Sequence, residues 1–288
     1  MLTLFRGMLL WQCLDGGSFQ GRCFMQTVKF EPGKDFDRLE DYLRNRYLET
    51  HEATSWLPER LHDLIYRVGA QEMDEGRERS ADHIYLWEKN GEIAACILPD
   101  GENIYVSIKT GFESLFPSMI DFSEKYCRPL FPGAADGSVK FWVAVSERFA
   151  YMQEMLAGLG FHPDYESPDY KAGMNPYDAR KHSPIYRDSF ECVIVDENTT
   201  ERNDVCAYCF VYVDKRTKTA LIEPLSTREK YRHRGFGTAM LHGAIRRCKE
   251  RGIEKCYVDA FGEWRKEFYS AAGSSAEDSI GFWYKTLR

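Results

Sequence analysis

The feature that most narrows the folds open to this 288-residue chain is a strand, a basic turn and an amphipathic helix in immediate succession. Leu221-Ile222-Glu223-Pro224-Leu225 reads as the end of a strand. The turn after it carries Arg228, Lys230, Arg232 and Arg234 against one acid, Glu229. From Gly235, the residues Phe236, Met240, Leu241, Ala244, Ile245 and Cys248 recur as one apolar stripe of a helix. Gly252 follows where a left-handed cap residue belongs. The start of a helix has unpaired N–H groups and a positive dipole end, and so favours acids. Basic residues crowd this one, which implies that an anion is expected there. Gly235 and Gly237 let a bulky anion approach the backbone, and a pyrophosphate is the natural candidate. The plainer alternative is a solvated basic loop whose glycines only permit the turn.

The remaining pattern is regular from Met25 onward. Val28 and Phe30 mark a strand. Helices are expected over Asp35–Glu49 and Leu57–Val68, with Asp35 and Ser55 as caps. Asn90-Gly91 separates the apolar runs His83–Trp87 and Ile93–Leu98, a strong hairpin signal. A strand at Ile104–Ile108, a helix at Leu115–Tyr126, a strand at Val139–Val145 and a helix at Ala150–Leu159 complete a first half. Prolines 163, 168, 176 and 184 then punctuate a polar stretch with the composition of a linker. The second half starts again with strands at Phe190–Val195, Val205–Val213 and Thr219–Pro224. After the helix from Gly235 to Arg251 come a strand at Lys255–Ala260, a helix at Trp264–Ala272 and a strand at Ile280–Lys285. The expected organisation is an extension over 1–24, a domain over 25–162, a linker over 163–184 and a second domain over 185–288. Both halves read as α+β units, a three-layer α/β arrangement in which helices flank a mixed, mostly antiparallel twisted sheet.

Composition sets limits on function. Hydrophobic residues at 43% suffice for a sizeable core. A formal net charge of -7 argues against a nucleic-acid binder, which needs clustered positive charge. No apolar run approaches the roughly 20 residues needed to span a bilayer. Nine cysteines, an odd and scattered set, fit reduced thiols in a cytoplasm better than a disulfide framework. Cys206 and Cys209 have C-x-x-C spacing, but three residues along a strand they face opposite sides, so no metal site is expected. Residues before Met25 fit either an extension or an upstream start.

The stretch Arg232-x-x-Gly235-x-Gly237 on a β-turn-α resembles the acetyl-CoA-binding motif of the GNAT superfamily of N-acetyltransferases, Q/R-x-x-G-x-G/A. The resemblance covers about Ser189–Arg288, and rests on element order alone for Met25–Phe161. It implies two GNAT-like domains in tandem. It also implies that the backbone of Arg232, His233, Arg234, Gly235, Phe236, Gly237 and Thr238 holds the CoA pyrophosphate, and that Leu225, Ser226 and Thr227 pair with the pantetheine arm. The first half has Lys109-Thr110-Gly111-Phe112-Glu113-Ser114 at the equivalent place and no such motif, so it reads as a degenerate copy.

Transfer of an acyl group to an amine needs a base, a polarised carbonyl and an acid for the departing thiolate. Similar strands in the family carry a base where Glu223 stands, and its apolar neighbours would tune it. A surface glutamate paired with an arginine is the other reading. Tyr269, in a stretch similar to the family's Y-x-x-x-G-F, is the candidate acid, with a core aromatic as the other reading. Ser274 replaces the usual Phe, and Gly262 and Arg265 stand where a family variant has Asn and Ala. A backbone N–H near Leu225–Thr227 is the candidate for polarising the thioester. The expectation is a cytoplasmic N-acetyltransferase, monomer or homodimer, acting on a small-molecule amine with acetyl-CoA, no metal, no nucleic acid and no membrane. A non-catalytic acyl-CoA sensor is the alternative.

Overall fold

The computed structural model describes residues 25–52, 56–66, 80–164, 188–196, 204–260, 263–275 and 280–288. They fall into two compact units. One holds the described residues of 25–56, 80–164 and 280–288, the other those of 57–66 and 188–275. The expected cap at Ser55, the expected helix end at Val68 and the 1–24 extension lie outside the described residues, as does most of the linker.

The first unit is built on a seven-stranded sheet ordered β1-β2-β3-β4-β5-β11-β6. Its strands are β1 (Met25–Lys29), β2 (Tyr85–Lys89), β3 (Glu92–Asp100), β4 (Asn103–Ile108), β5 (Val139–Ser146), β6 (His162–Asp164) and β11 (Ile280–Leu287). All neighbours are antiparallel except β4 and β5, which pair in parallel through Ile104–Val143 and Tyr105–Ala144. The β2–β3 hairpin turns at Asn90 and Gly91, with φ of 54° and 82°. Those positive values are what a primed two-residue turn requires. Helices α3 (Phe116–Tyr126) and α4 (Ala150–Gly158) cover one face, where Ala95, Ile97, Phe116, Phe141 and Leu156 form the core. Helix α1 (Pro32–Thr50) packs on the strands through Tyr42, whose hydroxyl donates to the Ala94 carbonyl at 3.4 Å. Asp35 is not its cap. Glu31 holds that position, Pro32 opens the helix, and the buried Asp35 accepts the Glu31 N–H and the Arg38 guanidinium.

The second unit has a four-stranded sheet ordered β10-β9-β8-β7. Its strands are β7 (Phe190–Asp196), β8 (Asp204–Asp214), β9 (Thr219–Thr227) and β10 (Lys255–Tyr257). Helix α5 (Phe236–Glu250) buries Met240, Leu241, Ala244 and Cys248 against Ala207, Cys209, Val211, Ala220 and Ile222. Ile245 is the exception to the expected stripe and stays exposed. On the other sheet face lie Phe210, Tyr212 and Leu221. Helix α2 (Pro58–Tyr66) packs on β8 and β9, and its Glu59 accepts a 2.7 Å hydrogen bond from Thr219. Helix α6 (Glu263–Ala271) follows β10.

Two elements sit differently from the composition-based boundaries. The helix around Leu57 belongs with the second sheet, and the strand from Ile280 with the first. His162–Asp164, at the start of the expected linker, forms a strand against β11. Composition carries no information on which sheet a distant segment joins.

Candidate active site

The site is built where β9 outruns its neighbour. Strand β10 pairs with β9 in parallel only through Thr219, Ala220 and Leu221. Strand β9 continues to Thr227, beyond the Pro224 at which the sequence pattern stops. On its other side β9 stays paired with β8, where Ile222 faces Val211 and Leu225 faces Cys209. Glu223 and Pro224 therefore stand opposite Phe210 alone, a β-bulge. Proline suits that place, because it has no N–H to give to a ladder.

The bulge resets the facing of the strand. Thr219 and Leu221 lie on the α2 side and Ala220 and Ile222 on the α5 side, so alternation carries Glu223 to the α2 side. After the bulge Leu225 packs with the α5 core. The Arg228 N–H bonds to the Cys206 carbonyl at 3.0 Å, and Ser226 is two residues back opposite Tyr208. Hydrogen-bonded and non-bonded pairs alternate in an antiparallel ladder, so Leu225 and Thr227 turn their amides away from β8. They point to the edge where β10 has ended.

The loop from Arg228 to Gly235 is anchored from beneath. Asp204, buried at the start of β8, accepts the Arg228 guanidinium at 2.7 Å, the Tyr231 hydroxyl at 2.7 Å and the Lys230 ammonium. Its carboxyl is held below the usual carboxylate range, chiefly by Lys230 and then by Tyr231. Two of the four loop cations are thus tied to an internal acid. Arg232 donates to the Thr227 carbonyl at 3.3 Å, and Arg234 lies over the rings of Tyr231 and Phe236. His233 at φ 58° and Gly235 at φ 83° take left-handed backbone. Such turns gather successive N–H groups into an anion-binding concavity. Gly235 caps α5, and the first helical bond runs from the Ala239 N–H to the Gly235 carbonyl. The amides of Phe236, Gly237 and Thr238 precede it and have no helical acceptor. A Cβ on Gly237 would stand 3.2 Å from Thr227 Oγ1 and 3.3 Å from Phe268 Cζ. This glycine lets the helix start close to both the strand end and α6.

Tyr269 packs against the α5-side core of this sheet, within reach of the charge of Glu223. The Tyr269 phenol is pushed up to about 12, first by burial and then by the charge of Glu223. Arg60 on α2, absent from the candidates read from sequence, reaches the same place. Its Nη2 lies 3.8 Å from Glu223 Oε2 and is also ion-paired with Asp259, just past the end of β10. Two carboxylates thus flank the opening between β9 and β10, joined by one guanidinium. Neither Arg60 nor Asp259 had a motif to mark it, since their proximity exists only once α2 has docked on this sheet.

Residues 159–273 match the acetyltransferase (GNAT) family, whose members use acetyl-CoA as co-substrate. No curated protein matches the chain. A GCN5-related N-acetyltransferase from Sphaerobacter thermophilus superposes at a TM-score of 0.51 and 14% identity, over 92% of this chain and 96% of that one. A tandem GNAT protein from the clavulanic acid biosynthesis pathway does so at 0.54 and 11%, over 91% and 98%. Glucosamine-6-phosphate N-acetyltransferase from Arabidopsis thaliana aligns at 22% identity over 31% of this chain and 62% of its own length, with a TM-score of 0.28. Residues 159–273 match the GNAT acetyltransferase family, within a chain whose fold is similar to that of tandem GNAT proteins.

Proposed function

We propose that the second unit transfers an acetyl group from acetyl-CoA directly to the primary amine of a small-molecule acceptor. The observation that carries this reading is the stretch of β9 from Leu225 to Thr227, open on its β10 side, leading into the glycine-bearing start of α5. Acetyl-CoA supplies the thioester that is to be cleaved. The amides of Gly235, Phe236, Gly237 and Thr238, with the loop from Arg232 to Arg234, suit its pyrophosphate. Leu225, Ser226 and Thr227 suit its amide-bearing arm, because they offer strand-like hydrogen bonding at an open edge.

The roles divide among the side chains near the opening. Glu223, as a carboxylate, takes a proton from the acceptor's ammonium, directly or through a water. An outward amide among Leu225–Thr227 donates to the thioester oxygen and stabilises the charge that develops there. The phenol of Tyr269 keeps its proton to about pH 12 and can give it to the departing sulfur. Asp259 adds a second negative charge beside Glu223, which suits a cationic acceptor. The first unit, with Lys109-Thr110-Gly111-Phe112-Glu113-Ser114 where the motif would stand, serves a structural role. No described helix is long and apolar enough to cross a membrane, and a cytoplasmic setting belongs to the same proposal.

Acetyl-CoA titrated by calorimetry into wild type and into a Gly235→Glu, Gly237→Glu double variant tests the binding half. Binding by wild type alone is expected; no binding, or equal binding, removes the reading. A panel of amines with acetyl-CoA then tests transfer. One observation favours the alternative of an acyl-CoA sensor: Glu223 already has the Arg60 cation beside it. Binding without transfer to any amine would select the sensor.

A further inference from the structure

Cys192 on β7 and Cys209 on β8 are directly opposite each other in the antiparallel register. Opposed residues in such a pair have Cα atoms about 4.5–5.5 Å apart, inside the span of about 4.4–6.8 Å that a disulfide bridges. Both are free thiols, and both belong to the core beneath α5. Cys192 stands on the edge strand of its sheet at 9% exposure. Arg247 on α5 sends Nη1 to the Cys192 sulfur at 3.8 Å and to the Glu191 carbonyl at 3.2 Å. A guanidinium over a sulfur favours thiolate, the nucleophilic form.

We propose that Cys192 and Cys209 form a reversible disulfide when the chain meets a hydroperoxide, with Cys192 as attacking thiolate and Cys209 as resolving thiol. The two thiols differ in the required direction. The hydrogen bond from Cys209, and then the charges of Arg247 and Arg251, lower Cys192 below the usual thiol range. The same bond and burial raise Cys209, which stays protonated. In the first step the Cys192 sulfur attacks the peroxide and the O–O bond breaks. Cys192 is oxidised to a sulfenic acid, and the peroxide is reduced to an alcohol or water after taking up a proton. In the second step Cys209 loses its proton and its sulfur attacks the sulfur of Cys192. The S–O bond breaks and hydroxide leaves, taking up that proton as water. A low-molecular-weight thiol reverses the link by exchange. The other close pair, Cys248 on α5 and Cys256 on β10, has no cation on its more acidic member comparable to Arg247 beside Cys192.

The chain treated with hydrogen peroxide at neutral pH, blocked and digested without reductant, tests this by mass spectrometry. The expected product is a peptide linking Cys192 to Cys209, lighter by two hydrogen atoms and separated again by dithiothreitol. Cys209→Ser should halt at the sulfenic acid, which dimedone then labels at Cys192. Cys192→Ser should lose both products, and Arg247→Met should slow the first step. No link in folded wild type, a link confined to Cys248 and Cys256, or equal oxidation of Cys192→Ser overturns the proposal. These readouts are covalent, so they stand or fall independently of acetyl transfer.

Discussion

Arg60 Nη2 lies 3.8 Å from Glu223 Oε2 and also holds Asp259, so one cation from α2 spans both carboxylates at the opening of β9 from β10. In the catalytic reading, Glu223 works as a base only when ionised, and a neighbouring cation favours that state. Arg60→Met should therefore move the acidic limb of kcat/KM to higher pH, while Arg60→Lys should move it less. The measurement is a pH–rate profile for each variant. A limb that stays where wild type has it would separate Arg60 from the base.

Tyr269→Phe removes a phenol whose proton is retained to about pH 12. If that proton goes to the leaving sulfur, kcat should drop by about 10²–10⁴-fold with KM nearly unchanged. Because the folded value is raised above that of the unfolded chain, the protonated form contributes stability fully below about pH 10. That contribution disappears as pH climbs towards about 12, where wild type should lose stability faster than Tyr269→Phe. Unchanged turnover in the variant excludes Tyr269 as the acid.

The glycines of α5 should respond in opposite senses. Gly237→Ala forces a methyl group to 3.2 Å from Thr227 Oγ1 and 3.3 Å from Phe268. Overpacking of this kind costs about 1–3 kcal/mol. Gly235→Ala strains a residue at φ 83°, at about 1–2 kcal/mol. Gly243, inside the same helix, has nothing within 4 Å of an added Cβ. Gly243→Ala should stabilise by up to about 1 kcal/mol. Thermal midpoints of the three variants decide the matter, and calorimetry should find acetyl-CoA affinity lost only in the first two.

Asp204→Asn tests the support under the phosphate loop. Its carboxylate receives Arg228, Lys230 and Tyr231, and its value lies below that of the unfolded chain. The stability it gives is present above about pH 4 and is lost as pH falls through its lower folded value. The asparagine variant should exchange the amides of residues 228–238 faster than wild type at neutral pH and should bind acetyl-CoA more weakly. Hydrogen exchange as slow as in wild type would show that the loop is held some other way.

What the sequence makes legible by itself is local. The strand, the basic turn and the stripe from Met240 to Cys248 announce themselves by spacing, and Asn90-Gly91 announces its hairpin. Strand β9 running three residues past Pro224 is harder to see, because proline reads as a terminator and the bulge that tolerates it has no pattern. Asp204 looks like a polar residue at a strand start, and only the fold shows that it sits under the loop cations. Arg60 lies 163 positions before Glu223 in the sequence, the difference of 223 and 60. No periodicity links such residues. The same holds for Cys192 and Cys209, whose opposition is a matter of register.

Strand β11 lies between β5 and β6 in the first sheet, although the whole second sheet separates it from them along the chain. A ribosome delivers β5 and β6 long before the strand that joins them. Until residues 280–287 emerge, the β5 edge that ends in Val145 and Ser146 has no partner, and His162–Asp164 has nothing to pair with. Domains ordinarily fold as they are made, first half first. This chain instead closes its first sheet last, so nascent chains stalled after residue 275 should expose an apolar edge that chaperones bind.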